Sequence, residues 1–421
     1  MTVGNAHPRA RPRVLLFTET FPALGPHEPF IAVEVQHLAG AIDLVLIPTT
    51  RVQGPTVSLP AGVEVEGGLA DYMAGVRGRL AGLVKSAVSP ETYREIFRFG
   101  ARACDPRVVA AVIVRGARMH MARTWTRRYL KSAGPVVAYS WWASAVGYGI
   151  ARASQDVGVP CISRIHGYEL YPEQDRLGRI PFQAPGLRQF DAVYPVSTAG
   201  AEFLKDAYAV LEPRIKVAYL GVEDYTVRKG PSIDGVFRIV SCSSCIPLKR
   251  VELLAMSMSC LLLDHPEITF TWTHIGDGPT LPDIKRLVEA EPHLAERCIF
   301  TGFLPQGAGR VLAEQHCDVF INVSTSEGLP VTLMEAACCG IPLIATAVGG
   351  NAEIVDETCG LLLRPNPDPE EVAAAIASIA HLSTDDRNRL RVGSRDRWSD
   401  KFSAEQNYCA FGDLLVTLGS R

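Results

Sequence analysis

Residues 318–353 read DVFINVSTSEGLPVTLMEAACCGIPLIATAVGGNAE, and this stretch decides the fold. Its pattern is strand, loop, helix, strand, loop. Residues 318–324 are apolar and β-branched with no breaker, which suits a parallel strand buried on both faces. Residues 324–329 are small and polar, a loop leaving the carboxyl end of that strand. Pro330 suits the first helical position, where its missing N–H has no partner to lose. The helix is expected to run through Met334 and Ala337, to be capped by Gly340 and stopped by Pro342. Residues 342–346 form the next buried strand.

Two carboxylates ride on this unit, Glu327 in the loop and Glu335 on the helix. Helical side chains lean toward the helix N-terminus, so both are placed to face the crevice at the strand ends. The helix start after Gly328 adds free N–H groups from Leu329, Val331 and Thr332 and a positive dipole end. N–H donors for phosphate beside carboxylates that accept from hydroxyls make a site for a phosphorylated sugar. A capped helix with a first-turn Glu accounts for Glu327 alone equally well. It leaves Glu335 and Gly349-Gly350 unexplained.

The segment SEGLPVTLMEAACCGIPLIATAVGGNAEIV, residues 326–355, resembles the E-x7-E segment of retaining glycosyltransferases of family 4. That group has the GT-B fold, an α/β architecture of two Rossmann-like parallel-sheet domains facing each other across a cleft. The resemblance implies that Glu327 contacts the hydroxyls of a donor sugar near the reacting carbon. It implies that Glu335 holds the ribose hydroxyls of a nucleotide.

Composition agrees with a soluble globular chain: 421 residues, 47% hydrophobic and 21% charged, enough for two or three domains. A net charge of −3 gives no electrostatic case for nucleic acid. The eleven cysteines are scattered, several in apolar runs, as free thiols in a reducing cytosol would be. Cys242-x-x-Cys245 lacks a second pair to complete a zinc site and reads as structural. No apolar run reaches bilayer length, and MTVGNAHPRARPR lacks the apolar core of a signal peptide. The expected location is therefore cytoplasmic.

Outward from the central stretch, both halves alternate strands and helices. In the first half, strands are expected at residues 13–19, 42–48, 63–65, 135–140, 160–164, 191–197 and 215–220. The loop TFPALGPHEP, residues 20–29, has no G-x-G-x-x-G, so a tight dinucleotide turn is not supported. FPALGPHEPFIAVEVQHL resembles the corresponding segment of transferases of bacterial polysaccharide assembly, where the loop faces the acceptor and the donor phosphates. Gly25 and Glu28 are thus acceptor-side candidates, with a helix N-terminal Glu as the plainer reading of Glu28. Trp141 and Trp142 end a strand, where aromatic rings line a sugar site or pack a core. SRIHGYELY, residues 163–171, resembles the His-Gly loop of the same transferases, with Glu169 where Asp is more usual. The resemblance places His166 over the donor sugar and phosphate.

Residues 69–131 are expected to be largely helical. Arg115–Lys131 carries Arg115, Arg118, Arg123, Arg127, Arg128 and Lys131 with Met119, Met121, Trp125 and Tyr129 interleaved. Such a helix suits an anionic membrane surface or acceptor, or is a solvated basic face.

Residues 222–236 contain Gly-Pro and read as a linker. They divide a first domain over 1–221, on the acceptor side, from a donor domain over 237–395, with 396–421 as a C-terminal helix crossing back. After the strand at 237–242, the family places an Arg and a Lys on the donor diphosphate. Lys249 matches the Lys. Ser244 stands at the Arg position and donates a weaker, neutral hydrogen bond. Arg250 compensates if it turns inward. Gly276 and Gly278 permit a tight turn beside a ligand. In the family, the segment of Phe303 and Leu304 meets the nucleobase.

The expectation is a retaining transferase that moves a hexose or N-acetylhexosamine from a nucleotide sugar, UDP-linked, to a hydroxyl. No Asp-x-Asp occurs, so no metal or other cofactor is expected, and Lys249 with N–H groups must meet the diphosphate charge. The acceptor is a lipid-linked polysaccharide precursor or a soluble metabolite such as an aminocyclitol. Peripheral contact with the inner membrane face through Arg115–Lys131 goes with the first. A sugar-nucleotide epimerase, and a catalytically weak sugar-nucleotide-binding relative, are the other readings open to this fold.

Overall fold

The computed structural model describes residues 11–24, 28, 30–225, 228–304 and 307–420. Two six-stranded, all-parallel sheets organise the chain. The first takes β1 (Arg13–Thr18), β2 (Asp43–Pro48), β3 (Glu64–Val65), β4 (Val136–Ser140), β5 (Cys161–Ile165) and β6 (Ala192–Pro195), in the order β3-β2-β1-β4-β5-β6. The second takes β7 (Phe237–Cys242), β8 (Phe270–Ile275), β9 (Cys298–Gly302), β10 (Val319–Asn322), β11 (Leu343–Thr346) and β12 (Gly360–Leu363), in the order β12-β11-β10-β7-β8-β9. The two orders are the same topology, repeated. Each has its switch point between its first and fourth strands, β1/β4 and β7/β10. Ligands of such sheets bind outside the strand carboxyl ends at that point.

Each central strand is buried on both sides, which is why it reads as a continuous apolar run. Along β1, Val14 and Leu16 enter one core while Leu15 and Phe17 enter another on the opposite face. Along β10, Phe320 faces one core, and Val319 and Ile321 the other.

The strand expected at residues 215–220 is not part of the first sheet. The segment makes a single parallel bridge, Val193 to Ile215, with Lys216 N–H on the Val193 carbonyl. The next rung would need an N–H from Pro195, which has none, and beyond it only Ala218 N–H, 3.0 Å from the Pro195 carbonyl, keeps the segment beside β6. Pro330 is likewise one position earlier than expected. It precedes the helix Val331–Cys338 with ψ of 113°, outside the helical region.

The chain ends in two helices, Thr384–Lys401 and Ala404–Gly419, with a break at Phe402 and Ser403. Val222 clasps the break: its N–H donates to the Phe402 carbonyl, and its carbonyl accepts from Ala404 N–H. The final helix lies against the helix Ile31–Leu38 and β4 of the first domain. There Arg164, fully buried on β5, joins three elements. Its Nε is 3.1 Å from Glu34 and 2.8 Å from the Tyr139 hydroxyl, and its guanidinium carbon sits 4.1 Å from the Phe411 ring centre on the final helix.

A second tie runs between the domains. Glu353 accepts from the N–H groups of Thr198 and Ala199 at 3.0 and 2.9 Å and from the Tyr219 hydroxyl at 2.8 Å. A carboxylate from one domain thereby caps the helix Thr198–Ala207 of the other. Glu353→Ala is expected to cost about 1–2 kcal/mol in chemical denaturation, the usual loss of a helix cap.

Candidate active site

The loop after β10 crosses the switch point of the second sheet and carries Glu327, which is 6% exposed. Its Oε1 receives three hydrogen bonds: from Lys249 Nζ at 2.6 Å, Ser324 Oγ at 2.6 Å and Asn322 Nδ2 at 3.1 Å. Its Oε2 takes no bond from the described residues. Burial opposes the charge of Glu327. The Lys249 ammonium and the two neutral donors outweigh it and hold the carboxyl below the usual carboxylate range. Gly349, at φ of 49°, is pressed on the same turn: a Cβ there would lie 1.7 Å from the Glu327 carbonyl oxygen. The Gly350 N–H donates to the Gly328 carbonyl. Gly349-Gly350 is therefore the buttress of the Glu327 loop.

Next along, the N–H groups of Leu329, Val331 and Thr332 donate to nothing among the described residues. The Thr332 hydroxyl is turned back to the Cys242 carbonyl. One turn on, Glu335 lies partly buried beside the start of the helix Ala308–Glu314. Burial pushes its carboxyl up to about 7, against a bond from Gly309 N–H and a long one, 3.4 Å, from the Tyr225 hydroxyl. Phe303 and Leu304 leave the end of β9 nearby, Phe303 with 44% of its surface exposed.

Across the cleft, the backbones of Gly167 and Gly328 touch: a Cβ on Gly328 would sit 2.6 Å from Gly167 N. That contact brings the backbone of His166 beside Gly328, the residue after Glu327. The His166 ring stacks on Trp141 and approaches Trp142, with Nδ1 3.4 Å from Glu169 Oε1. Its buried Nε2 has no partner among the described residues. Ser326 of the Glu327 loop bonds Gln174 and Glu173 of the first domain.

Several expected roles change with the geometry. Arg250 does not compensate for Ser244. Its guanidinium is taken up by the carbonyls of Val323, Ser324 and Pro365, so it holds the Glu327 loop from behind. The Ser244 residue is exposed. Glu28 is neither a free acceptor contact nor a helix-start carboxylate. It is saturated by the N–H groups of Glu19, Thr20 and Phe21, the Thr20 hydroxyl and the Trp142 indole N–H. Trp141 is wholly buried and packs the core rather than lining a site. Gly25 lies outside the described residues. Gly276 and Gly278 hold the loop after β7. A Cβ on either would strike the carbonyl of Ser243 or Cys245, at 1.9 and 2.4 Å. Cys245 Sγ meets His274 Nε2 at 3.3 Å inside the fold.

Trp142 lines a cavity of about 170 Å³ at the carboxyl ends of β1 and β4, with Glu19, Arg115, Arg118 and Tyr168. Arg115 and Arg118 come from the helix Pro106–Leu130, whose Met119 and Met121 are buried. Arg115 pairs with Asp175, and Arg123 and Arg127 pair with Asp156. Asn322, Ser324, Tyr225, Gln174 and Glu353 were not singled out from the sequence. Only Asn322 and Ser324 carry a local signal, polar residues alternating at a buried strand end. Among the described residues, His265, Glu267 and His381 place ligand atoms within 4.8 Å of one another on the second domain, remote from Glu327.

Fold and site together define a GT-B protein. Residues 237–381 match the model of the family described as glycosyl transferases group 1. The chain is 24% identical over 261 residues to a Salmonella typhimurium protein named as the colanic acid biosynthesis glycosyltransferase WcaL, covering 60% of this chain and 63% of that one. It is 36% identical over 121 residues to the 2-deoxystreptamine N-acetyl-D-glucosaminyltransferase of Streptomyces fradiae, 28% of each chain. The alignment thus spans less than two thirds of these curated relatives. Among solved structures, the Anabaena protein Alr3699/HepE in complex with UDP-glucose superposes with a TM-score of 0.66 at 16% identity, over 97% of this chain and all of that one. The lipopolysaccharide outer core galactosyltransferase WaaB, in its apo form, gives 0.67 at 13% identity over the same share.

Proposed function

We propose that this protein transfers a glycosyl group from a nucleotide sugar to a hydroxyl acceptor, with retention and without a divalent metal. The observation that carries the reading is Glu327. One oxygen is fastened by Lys249, Ser324 and Asn322, the other has no donor among the described residues, and the backbone of His166, whose Nε2 is likewise unpartnered among them, meets the adjoining Gly328. This pairing fits a sugar ring lying between the two domains. The donor diphosphate would meet the free N–H groups of Leu329, Val331 and Thr332 and the Lys249 ammonium, whose three N–H donors can serve Glu327 at the same time. Glu335 would accept from the ribose hydroxyls. UDP is the first nucleotide to test, because solved proteins of this fold hold UDP-glucose and UDP.

In the proposed reaction the anomeric carbon–oxygen bond breaks with its electron pair going to the leaving diphosphate. The acceptor hydroxyl bonds to that carbon from the same face and gives its proton to the leaving phosphate oxygen. Glu327 Oε2 orients the ring and offsets positive charge at the anomeric centre. The cavity beside Trp142 and Tyr168 is the acceptor candidate. Its aromatic walls and paired charges suit a hydroxylated ring, as in a polysaccharide precursor or an aminocyclitol, the two acceptor types that the relatives' names suggest.

Mass spectrometry of the protein with UDP-hexose or UDP-N-acetylhexosamine and a panel of such acceptors tests the reading. A glycosylated product supports it. Turnover of the nucleotide sugar alone to an isomer would make the protein an epimerase instead.

Glu335 gives a pH signature. Its carboxyl titrates near 7, so unliganded Glu335 goes from mostly ionised at pH 8 to mostly neutral at pH 6. Donor affinity is expected to fall by about tenfold over that interval, and Glu335→Gln should weaken binding by about 10–100-fold at pH 8 and flatten the profile. The stability sign is opposite. A carboxyl raised from 4.5 to about 7 destabilises the fold increasingly as pH climbs through that range. Without ligand, Glu335→Gln should therefore be about 1–3 kcal/mol more stable than wild type at pH 8 and equal to it below pH 4.5. Calorimetric titration and denaturation at the three pH values check both.

A further inference from the structure

The helix Val76–Ala87 is amphipathic the wrong way round. It packs against the helix Pro106–Leu130 through Gly78, Gly82 and Ser86, its smallest residues, spaced four apart. The fit is close: a Cβ on Gly82 would lie 2.7 Å from Met121 Cγ, and one on Gly116 would lie 2.4 Å from Ser86 Oγ. The large apolar residues point outward. Val76 is 80% exposed, Leu80 63%, Val84 56% and, just past the helix, Val88 71%. These four are also spaced four apart, on the face opposite the small residues. Phe97, 73% exposed, ends the next helix, Pro90–Phe97. A soluble surface helix turns its apolar stripe to the core. A contiguous exposed stripe marks a contact surface.

Charge identifies what covers it. Between residues 76 and 104 the cations are Arg77, Arg79, Lys85, Arg94, Arg98 and Arg102, and the only carboxylates are Glu91 and Glu95. Both carboxylates are engaged, Glu91 by Arg152 and Glu95 by Arg98 and Arg179. Arg77 and Arg79, exposed, flank the apolar stripe on its two sides. A second copy docked by two-fold symmetry would set these cations against themselves. We infer that this face lies on an anionic lipid bilayer, the apolar ridge in the headgroup–acyl boundary and the arginines among the lipid phosphates. The protein would bind as a peripheral one. Among the described residues no helix is long and apolar enough to cross a membrane.

The surface differs from the Arg115–Lys131 segment, most of whose cations pair within the protein. It would still matter to that segment, because the Pro106–Leu130 helix under it supplies Arg115 and Arg118 to the cavity beside Trp142. A bilayer on one side of that helix would bring a lipid-borne acceptor to the cavity's own domain. The docking itself stands without the proposed transfer reaction and is measured without donor or acceptor.

The experiment is flotation of the full chain with phosphatidylcholine vesicles, plain or containing about one third phosphatidylglycerol. Binding to the anionic vesicles at least tenfold tighter than to the plain ones is expected, weakening with salt. Leu80→Asp combined with Val84→Asp should lower it at least tenfold with the melting temperature unchanged, since both side chains are exposed. Arg77→Glu with Arg79→Glu should lower it likewise and reduce the salt dependence. Leu263→Asp, at a position 74% exposed on the other domain, should leave it intact. Absence of binding to anionic vesicles, or binding indifferent to the helix variants, overturns the inference. So does a dimer in free solution that Leu80→Asp dissociates, which would make a second copy the occupant.

Discussion

Glu327→Gln is expected to lower kcat by about 10²–10³-fold at saturating donor while nucleotide affinity stays within a few fold, the loss typical of one preorganised electrostatic group. The reason lies in how the carboxylate is held. Three donors converge on Oε1, so the side chain is immobile before substrate arrives and costs no reorganisation during reaction. Its charge is retained despite burial because Lys249 stands 2.6 Å away. Glutamine keeps the shape and removes the charge that offsets a positive anomeric centre. In the proposed arrangement the nucleotide is held elsewhere, by Glu335 and the helix N–H groups, so its affinity should be spared. Glu327→Ala is a poorer probe, since it also leaves the Lys249 ammonium, 21% exposed, without its partner. Steady-state kinetics with calorimetric nucleotide binding separates the two effects. A kcat within threefold of wild type would remove Glu327 from the reaction.

Arg164→Ala is expected to destabilise the protein by about 3–5 kcal/mol, the usual result of removing one member of a buried ion pair. Both Arg164 and Glu34 are 0% exposed. Without the guanidinium, Glu34 keeps only the Tyr139 hydroxyl as partner, at 2.8 Å. The Ala218 carbonyl loses its donor, and Phe411 loses the cation over its ring. The final helix should therefore loosen first, which hydrogen exchange over residues 404–419 would show beside the denaturation midpoint. Pairing Arg164→Met with Glu34→Leu should recover much of the loss, because an apolar replacement leaves no buried charge unpaired. A double variant as unstable as Arg164→Ala would mean that the site contributes through shape alone.

The central stretch was legible because each element announces itself locally. A β-branched run, a polar loop, and the marks Pro330, Gly340 and Pro342 give strand, loop, helix and stop, and the structure differs by no more than two residues at any edge. Glu327 and Glu335 share one helix start, so their common crevice follows from chain geometry. What the sequence hides is whatever depends on distant partners. Arg164, Glu34 and Tyr139 come from β5, a helix and β4, and nothing local pairs them. Arg250 follows Lys249 as a second cation, but three carbonyls from other loops claim its guanidinium. Trp141 and Trp142 are neighbours leaving one strand, and only the fold separates the buried ring from the one lining a cavity. The pairing of 215–220 is interrupted by a proline in its neighbour, Pro195, rather than by any residue of its own.

The most direct test of the donor site is calorimetric titration at pH 8, without metal, of UDP, GDP, ADP and dTDP against wild type, Glu335→Gln and Glu327→Gln. One nucleotide should bind the wild type, bind Glu335→Gln at least tenfold more weakly, and bind Glu327→Gln nearly unchanged. Binding of none of the four, or of one that is indifferent to Glu335→Gln, would contradict the placement of the nucleotide in this cleft.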